Sequence, residues 1–564
     1  MARLLVSRCL LDPHGPEQIL IDVVAAPLAF SLVNLSLPNL MSDTFTRGRR
    51  LIARNSAFNL AGQLVPMVVG VITIPIIVRG LGHNGYGIFS IAIMALGYFS
   101  IFDLGLGRAT VKFVAENNSP ESVHRIPELV WTSFSLLAGL GCIGGALAAL
   151  FVPYAVTHLF KMPASFFGEA RTSLFILCAA MPIMLLNDAL RGVLEAAQRF
   201  DLVNYVKVPS SFLFYSVAAI VIPFGVHVPG VVLLLVLIRL TSSFAYLWLC
   251  FRVFPNLRAR PRVSRASLKP LAVFGGWIMV SNVTAPIFGY LERFMIASVL
   301  SVGMLTFYSA PYDLVSKMLV FPASIVPSLF PYFSYHGTRG RDEVSEVTSR
   351  TIQYLLLVLT PIVAIFLVFA RPILRLWLGP QFAEISTVPM QIVSFIFFLN
   401  AFAMIPFTSV QALGRPDLKA ILDIVVLPVY AFSAWWFMRR MGINGAALAK
   451  LLVTVLDLTC LYTFASHLKA FHLRHCLSGH LSRAIGTSAI LLMAVVALQF
   501  SRASIPMSIF IVGVLLLAYA ALFWTWVINR RDRDALLNMA QQFLALLRRR
   551  QTPDLLQSKF QASD

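Results

Sequence analysis

Charge is what this sequence has least of. Only 12% of its 564 residues are Asp, Glu, Lys or Arg, where a soluble domain carries roughly 25%. Acids are scarcer still, 25 against 45 basic residues. A chain that is 58% apolar, with a mean hydropathy of +0.80, cannot hide its apolar surface in one water-facing core, which excludes a soluble enzyme. Cysteine is sparse as well: Cys9, Cys142, Cys178, Cys250, Cys460 and Cys476 form no C-x-x-C pair, so neither a disulfide framework nor a zinc ribbon is indicated. Those inside apolar stretches read as small fillers of helix packing. There is no Walker A motif, nucleophile elbow, H-E-x-x-H or sugar-transferase-like acid cluster, so ATP hydrolysis and sugar transfer are not expected. His467, His472, His475, Cys476 and His480 crowd one loop, but beside Lys469 and Arg474 they read as a solvated basic loop and not as a metal site. No metal or cofactor is expected.

What the chain does have is lipid-soluble length. Segments long enough to cross a bilayer run at about 57–79, 86–107, 129–153, 172–191, 205–225, 229–251, 271–298, 304–333, 352–370, 387–411, 418–438, 442–466, 484–500 and 506–528. We number them spans 1 to 14. They lack the apolar–polar alternation of barrel strands, so the expected fold is an all-α integral membrane protein of about 14 transmembrane helices. Lys and Arg fall on alternate loops at about three to one, from the run Arg47–Arg54 through Arg258, Arg260 and Arg341 to Arg530–Arg533. That bias places both ends of the fourteen-helix unit in the cytoplasm. The net charge of +20 is thus a mark of orientation and not of nucleic-acid binding.

The ends read differently. Segment 19–37 is apolar but carries Asp22, whereas Met41-Ser42-Asp43 before the basic run reads as a natural start. Residues 1–46 are therefore expected to be an extension, either disordered or a start-site artefact. In the tail 530–564, Leu536, Leu537, Ala540, Phe543, Leu544 and Leu547 recur at helical spacing between basic flanks, as in a helix lying on the anionic inner leaflet.

Spans 1–6 and 7–12 read as two copies of one unit, offset by about 215 residues. Gly82-His83-Asn84-Gly85-Tyr86 corresponds to Gly303–Tyr308, Arg199-Phe200-Asp201 to Arg415-Pro416-Asp417, and Gly225-Val226 with Pro229-Gly230 to Gly442-Ile443-Asn444-Gly445. Six helices return the chain to its starting side, so the copies share one orientation and flank a path between them. The expected organisation is a lobe at 47–262, a lobe at 263–470 and two extra helices within 471–529.

The stretch Gly80–Ser90, the run Phe102-Asp103-Leu104-Gly105-Leu106-Gly107, Phe274-Gly275-Gly276-Trp277, Tyr290-Leu291-Glu292-Arg293-Phe294 and the Tyr308–Tyr312 run resemble Wzx-type O-antigen and exopolysaccharide flippases of the multidrug/oligosaccharidyl-lipid/polysaccharide superfamily. The resemblance implies a two-lobed bundle that passes undecaprenyl-diphosphate-linked oligosaccharide between leaflets by alternating access. Its implied partners are that lipid-linked oligosaccharide, membrane lipids, and polysaccharide polymerase or export machinery. A drug/cation antiporter of the same superfamily should offer a buried carboxylate, and span 1 has none. A flippase of the peptidoglycan precursor lipid II is not separable by sequence. A membrane enzyme would need a large external loop, and the longest here lies near 154–171.

Ionisable side chains inside spans are costly and point to function. Arg239 lies in span 6, Lys450 in its repeat partner span 12, Arg293 in span 7, and Asp313 and Lys317 four apart in span 8. Together they suggest a cationic cavity suited to a diphosphate. Against this, Asp313 and Lys317 can neutralise each other, Asp457 lies along the face of Lys450, and Arg293 can snorkel outward. Asn282 and Asn400 read as binders of sugar hydroxyls or as helix bridges, and Asp103 and Asp188 as helix-end partners. Pro66, Pro75, Pro286, Pro311 and Pro322 are candidate hinges, because proline frees backbone carbonyls and bends helices. Reporter fusions at Arg260, Arg341 and after Arg533 are expected to score cytoplasmic, and fusions at Lys161 and Arg375 external; two reversed signals would overturn the topology.

Overall fold

A computed structural model describes residues 43–117, 122–258, 263–264, 283–284, 286–336, 341–468, 470, 479–501, 504–528 and 533. The extension before residue 43, the tail helix, Asn282 and most of the His-rich loop lie outside these. Among the described residues, eleven helices are long and apolar enough to cross a membrane. One of those stretches holds two spans. Asp43–Phe99 is helical on either side of Gly82, whose φ of 67° and ψ of 178° break it. Before the break Gly70 faces Tyr215 and Gly80 faces Ile222; after it Gly87 faces Val302 and Gly97 faces Tyr290. The chain therefore reverses there, and a residue without Cβ makes the positive φ cheap. With spans 7 and 8 the bundle reaches fourteen helices.

The remaining helices match the spans within about five residues, Ile126–Tyr154, Phe167–Ala196, Phe200–Val221, Val228–Val253, Thr387–Ala412, Asp417–Met441, Ile443–His467, His480–Phe500 and Ile505–Leu522, except span 9, whose helix Arg341–Trp377 starts eleven residues earlier and ends seven later than expected. Span 2 is the correction. It ends in a 3₁₀ turn at Ser100–Asp103, and a separate amphipathic helix, Leu106–Glu116, follows. Leu104 and Gly105 both have positive φ, and the Asp103 carboxylate accepts the Gly107 N–H at 2.9 Å, capping the new helix.

The two halves repeat one another in packing and in local bonding. Span 4 packs on spans 3 and 6, and span 10 on spans 9 and 12. After span 4, Gln198 adopts φ 59° and Arg199 N–H donates to Leu194 C=O at 3.0 Å; after span 10, Gly414 adopts φ 76° and Arg415 N–H donates to Val410 C=O at 3.1 Å. Both helices end in the same left-handed cap. Each arginine then forks onto an aspartate two residues on, Arg199 onto Asp201 and Arg415 onto Asp417, with two 3.0 Å bonds apiece. Spans 13 and 14 stand outside the repeat, span 13 packing on span 9. Large side chains such as Leu150, Phe432, Ile424 and Leu517 stay exposed around the rim, where lipid replaces water.

Where the halves meet, hydrogen bonds gather at the span ends opposite the basic loops, the outer ends on the positive-inside reading. Lys161 exchanges backbone bonds with Ala297 and Val302 and sends its ammonium to Val299 C=O at 2.6 Å. The 154–171 loop is thus a clamp, much of it π-helix at Ala155–Leu159 and 3₁₀ at Ala164–Phe166, and not a free external domain. Thr306 donates to His83 C=O at 2.6 Å, His83 Nε2 lies 2.9 Å from Gln381 Oε1, and Trp377 donates to Val71 C=O at 2.8 Å. The His83 ring packs on Phe307 and Phe382. A Cβ on Gly87 would lie 2.1 Å from the Val302 carbonyl oxygen, which is backbone and cannot step aside. Overpacking of this kind costs about 1–3 kcal/mol. In a variant whose native cysteines are replaced, Asn84→Cys is expected to react slowly with an impermeant maleimide, and about ten times faster once Gly87→Val is added. Equal rates would mean that the seam is not closed there.

Candidate functional site

Span 7 carries two ionisable residues side by side, and they point to different partners. Arg293 is 5% exposed; its Nη2 donates to Asp313 at 2.8 Å and its guanidinium stacks 3.8 Å from the Tyr312 ring. Glu292 is fully buried and accepts the Tyr430 hydroxyl at 2.6 Å and the Lys450 ammonium at 3.4 Å. Lys450 also donates to Phe288 C=O and lies 5.1 Å from the Tyr430 ring.

Of the four cations of the expected cationic cavity, these contacts give two, Arg293 and Lys450, a carboxylate partner. Arg293 is neutralised by Asp313 and does not snorkel outward, because span 8 supplies a carboxylate within the bundle. Lys450 is neutralised by Glu292, an acid the sequence displayed in the middle of an apolar segment but to which no role was given. Asp457 does not serve Lys450. It takes the ammonium of Lys419 at 2.6 Å, while Asp423 takes the same ammonium at 2.7 Å. That three-charge cluster joins the early turns of span 11 to span 12.

Asp313 and Lys317 do not neutralise each other either. The four-residue spacing puts two side chains on one face only in an α-helix, and span 8 is not α-helical throughout. Val302–Val315 and Val320–His336 are joined by a 3₁₀ segment, Ser316–Leu319, that contains Lys317. Pro322 lacks the N–H that would bond the Met318 carbonyl, and its ring crowds that carbonyl, so the tighter turn sits just upstream. Lys317 turns instead to span 5, its ammonium 5.5 Å from the Tyr215 ring. No carboxylate pairs with it among the described residues.

The lobes therefore meet around Arg293, Asp313 and Lys317, walled by Tyr215, Tyr290 and Tyr312. Tyr98 of span 2 packs 5.7 Å from Tyr290, and a Cβ on Gly97 would come within 2.3 Å of that ring. Although the Arg293 side chain is 6% exposed, Asp313 remains 37% exposed. The carboxylate thus borders open space between the halves, below the sealed outer ends. Such a wall offers an ammonium without a carboxylate partner among the described residues, a guanidinium fixed by its ion pair, and aromatic faces.

The other candidates lie elsewhere. Arg239 sits inside the first lobe, where it donates to Asn187 Oδ1 at 3.0 Å; Asn187 in turn donates to Ser242 and Ser243 at 3.1 and 2.9 Å. No carboxylate pairs with Arg239 among the described residues. Asn400 is half-buried in span 10. Asp188 pairs with Arg191 at 3.7 Å, the helix-end role expected of it. Of the candidate hinges, Pro66 and Pro75 lie in the helical stretch before the break at Gly82. Pro286 lies in the described part of span 7, and Pro311 and Pro322 bracket the 3₁₀ segment of span 8.

Residues 52–336 match the family described as "Polysaccharide biosynthesis protein". A Shigella flexneri protein named "Putative O-antigen transporter" is 28% identical over 427 residues, covering 73% of this chain and 98% of that protein. A Haloferax volcanii protein named "Probable flippase AglR" is 22% identical over 421 residues, 71% of this chain and 80% of its own length. Among solved structures, an inward-facing multidrug-resistance transporter of the MATE family superposes with a TM-score of 0.64 at 15% identity, covering 80% of this chain and 98% of the other. The lipid II flippase MurJ in an inward closed conformation gives 0.63 at 13% identity, covering 83% and 98%. At such identities the likeness is one of fold. The match across half the sequence, carried on this fourteen-helix bundle, places the chain in the polysaccharide biosynthesis protein family.

Proposed function

We propose that this protein is a flippase that carries an undecaprenyl-diphosphate-linked oligosaccharide from the inner to the outer leaflet of the cell inner membrane, for O-antigen or exopolysaccharide assembly. The observation that carries this reading is the charged and aromatic wall at Arg293, Asp313 and Lys317, half-open between lobes whose outer ends are zipped together. A diphosphate entering from the cytoplasmic side exchanges water for donors there. Each charge-assisted hydrogen bond contributes roughly 1.5–3 kcal/mol. Tyr98, Tyr215, Tyr290 and Tyr312 give the sugars apolar ring faces with polar edges. The near full-length similarity to a protein named for O-antigen transport supports the substrate class. Both ends of the bundle lie in the cytoplasm on this reading, and a polymerase on the outer face would consume the product. The chain acts as a carrier and not as an enzyme.

The test is transfer of a fluorescent lipid-linked oligosaccharide across proteoliposomes containing the full chain. Lys317→Ala is expected to slow transfer at least about tenfold, the loss of one such bond. Lys317→Arg should retain partial rate. Because Asp313 is held by Arg293 and not by Lys317, the Lys317→Ala protein is expected to keep its melting temperature, so the loss reports on transport. Unchanged transfer by Lys317→Ala would remove the ammonium from the mechanism. Transfer of lipid II with no transfer of the oligosaccharide would replace the substrate.

A further inference from the structure

Span 11 ends in two adjacent arginines, Arg439 and Arg440, on the side of the bundle where basic residues are scarce. Each lies over an indole four residues back on the same helix. The Arg439 guanidinium is 4.4 Å from the centre of the Trp435 ring, and that of Arg440 is 4.3 Å from the Trp436 ring. Phe432 packs against both indoles, its ring centroid 6.2 Å from each. Two parallel columns result, ring followed by cation, on one stretch of helix surface. Phe432, Trp435 and Trp436 are 62%, 37% and 40% exposed, and both arginines are exposed as well.

Neither arginine has a carboxylate or carbonyl partner among the described residues. They do not cap the last turn, whose Met438 carbonyl accepts the Gly442 N–H at 2.9 Å. Nor does the fold need them. Aligned on Gly225 and Gly442, the first lobe has Ala218, Ala219, Ile222 and Pro223 where the second has Trp435, Trp436, Arg439 and Arg440, and its span 5 forms without either column. A guanidinium lying flat on a ring is held in orientation, while its five N–H groups, which lie in its own plane, stay free to donate. A helix of 25 residues is about 37 Å long against about 30 Å of hydrocarbon, so its last turn reaches the headgroup layer while the rings lie among the chains. The anion at that depth of a bilayer is lipid phosphate. Two fixed cations favour a headgroup of net negative charge over a zwitterion, whose own ammonium they repel. We propose that Arg439 and Arg440 bind the phosphate of one anionic phospholipid of the outer leaflet, with its acyl chains along Phe432, Trp435 and Trp436. The lipid anchors the outer end of span 11, the helix whose Tyr430 holds Glu292. The site stands on this geometry; its assignment to the outer leaflet rests on the positive-inside reading.

Indole fluorescence of the full chain in vesicles tests the site directly. Quenching owed to Trp435 and Trp436 is the difference between the wild type and a Trp435→Phe, Trp436→Phe variant. In phosphatidylcholine vesicles, phosphatidylglycerol with brominated chains is expected to quench these indoles at about one tenth the content needed with brominated phosphatidylcholine, the effect of one charge-assisted bond. Arg439→Gln with Arg440→Gln should make the two lipids equal and, because both side chains are exposed, leave the melting temperature unchanged. Arg439→Lys with Arg440→Lys keeps the charge but gives up the planar fork, and should keep part of the preference. Equal quenching by the two lipids in the wild type, or a preference that survives the double Gln change, would overturn the proposal. Millimolar inorganic phosphate should leave the preference intact; its loss would mean that the arginines take a soluble anion and not a lipid. With brominated lipid confined to one leaflet, the external one should quench. Quenching from the inner leaflet alone would keep the site and reverse the topology.

Discussion

The structure turns on one constraint: a charge inside a bundle that faces lipid must find a partner within the bundle, whether a counter-charge, a polar side chain or an aromatic face. Span 7 meets that demand twice in succession. Neighbouring residues of an α-helix point about 100° apart, so Glu292 and Arg293 cannot share a partner. Glu292 turns into the second lobe, to Tyr430 and Lys450, and Arg293 turns to Asp313 on span 8. Span 7 is thereby tied to spans 8, 11 and 12 by polar bonds, where the hydrophobic effect alone distinguishes poorly between one helix neighbour and another in lipid. A buried pair of this kind is weak evidence for stability, because desolvation offsets much of the attraction. What it supplies here is placement: the rotation of span 7 fixes where Arg293 and Asp313 face the other lobe.

The outer seam is built from different material. Lys161 uses its backbone, His83 its carbonyl and ring, and Trp377 its indole, with Gly87 small enough to let backbone meet backbone. Apart from the Lys161 ammonium, these are neutral hydrogen bonds, individually worth about 1 kcal/mol net. A seam of many modest bonds suits a surface that must part and re-form, whereas the ion pairs of span 7 suit parts that travel together. The carboxylate pairs of span 7 lie deeper in the bundle than this seam, whose cations, Lys161 and Arg79, donate to carbonyls.

Much of the fold is legible in the sequence because lipid imposes it. A spanning helix must be about 20 residues long and mostly apolar, and the predicted boundaries lie within a few residues of most helices. The repeat is legible for a sharper reason. The Arg-x-Asp spacing encodes a local fork that needs no distant partner, and it recurs at Arg199 and Arg415 with matching geometry. The site is only partly legible. Arg293, Asp313 and Lys450 stand out as charges in apolar helices, but pairing is a matter of three dimensions: Glu292, Asp457 and Lys419 found partners that sequence distance does not suggest. The alternative that Asp313 and Lys317 neutralise each other does not hold, because a four-residue spacing assumes α geometry that the 3₁₀ segment before Pro322 lacks. Pro66 and Pro75 lie within the helical stretch, and the non-helical residue between spans 1 and 2 is Gly82.

The 3₁₀ segment at Ser316–Leu319 has a mechanical meaning. A 3₁₀ helix advances about 2.0 Å and turns 120° per residue, against 1.5 Å and 100° for an α-helix. Four residues held in the tighter form therefore lengthen span 8 by about 2 Å and wind its lower half about 80° further round the axis. The segment is a screw thread cut into an otherwise rigid rod. Rewinding it as α-helix would draw Val320–His336 toward Val302–Val315 and rotate the Lys317 side chain out of its present heading over Tyr215. Axial travel and rotation would then be one motion, so that Lys317 could not be re-aimed without also shifting Val320–His336.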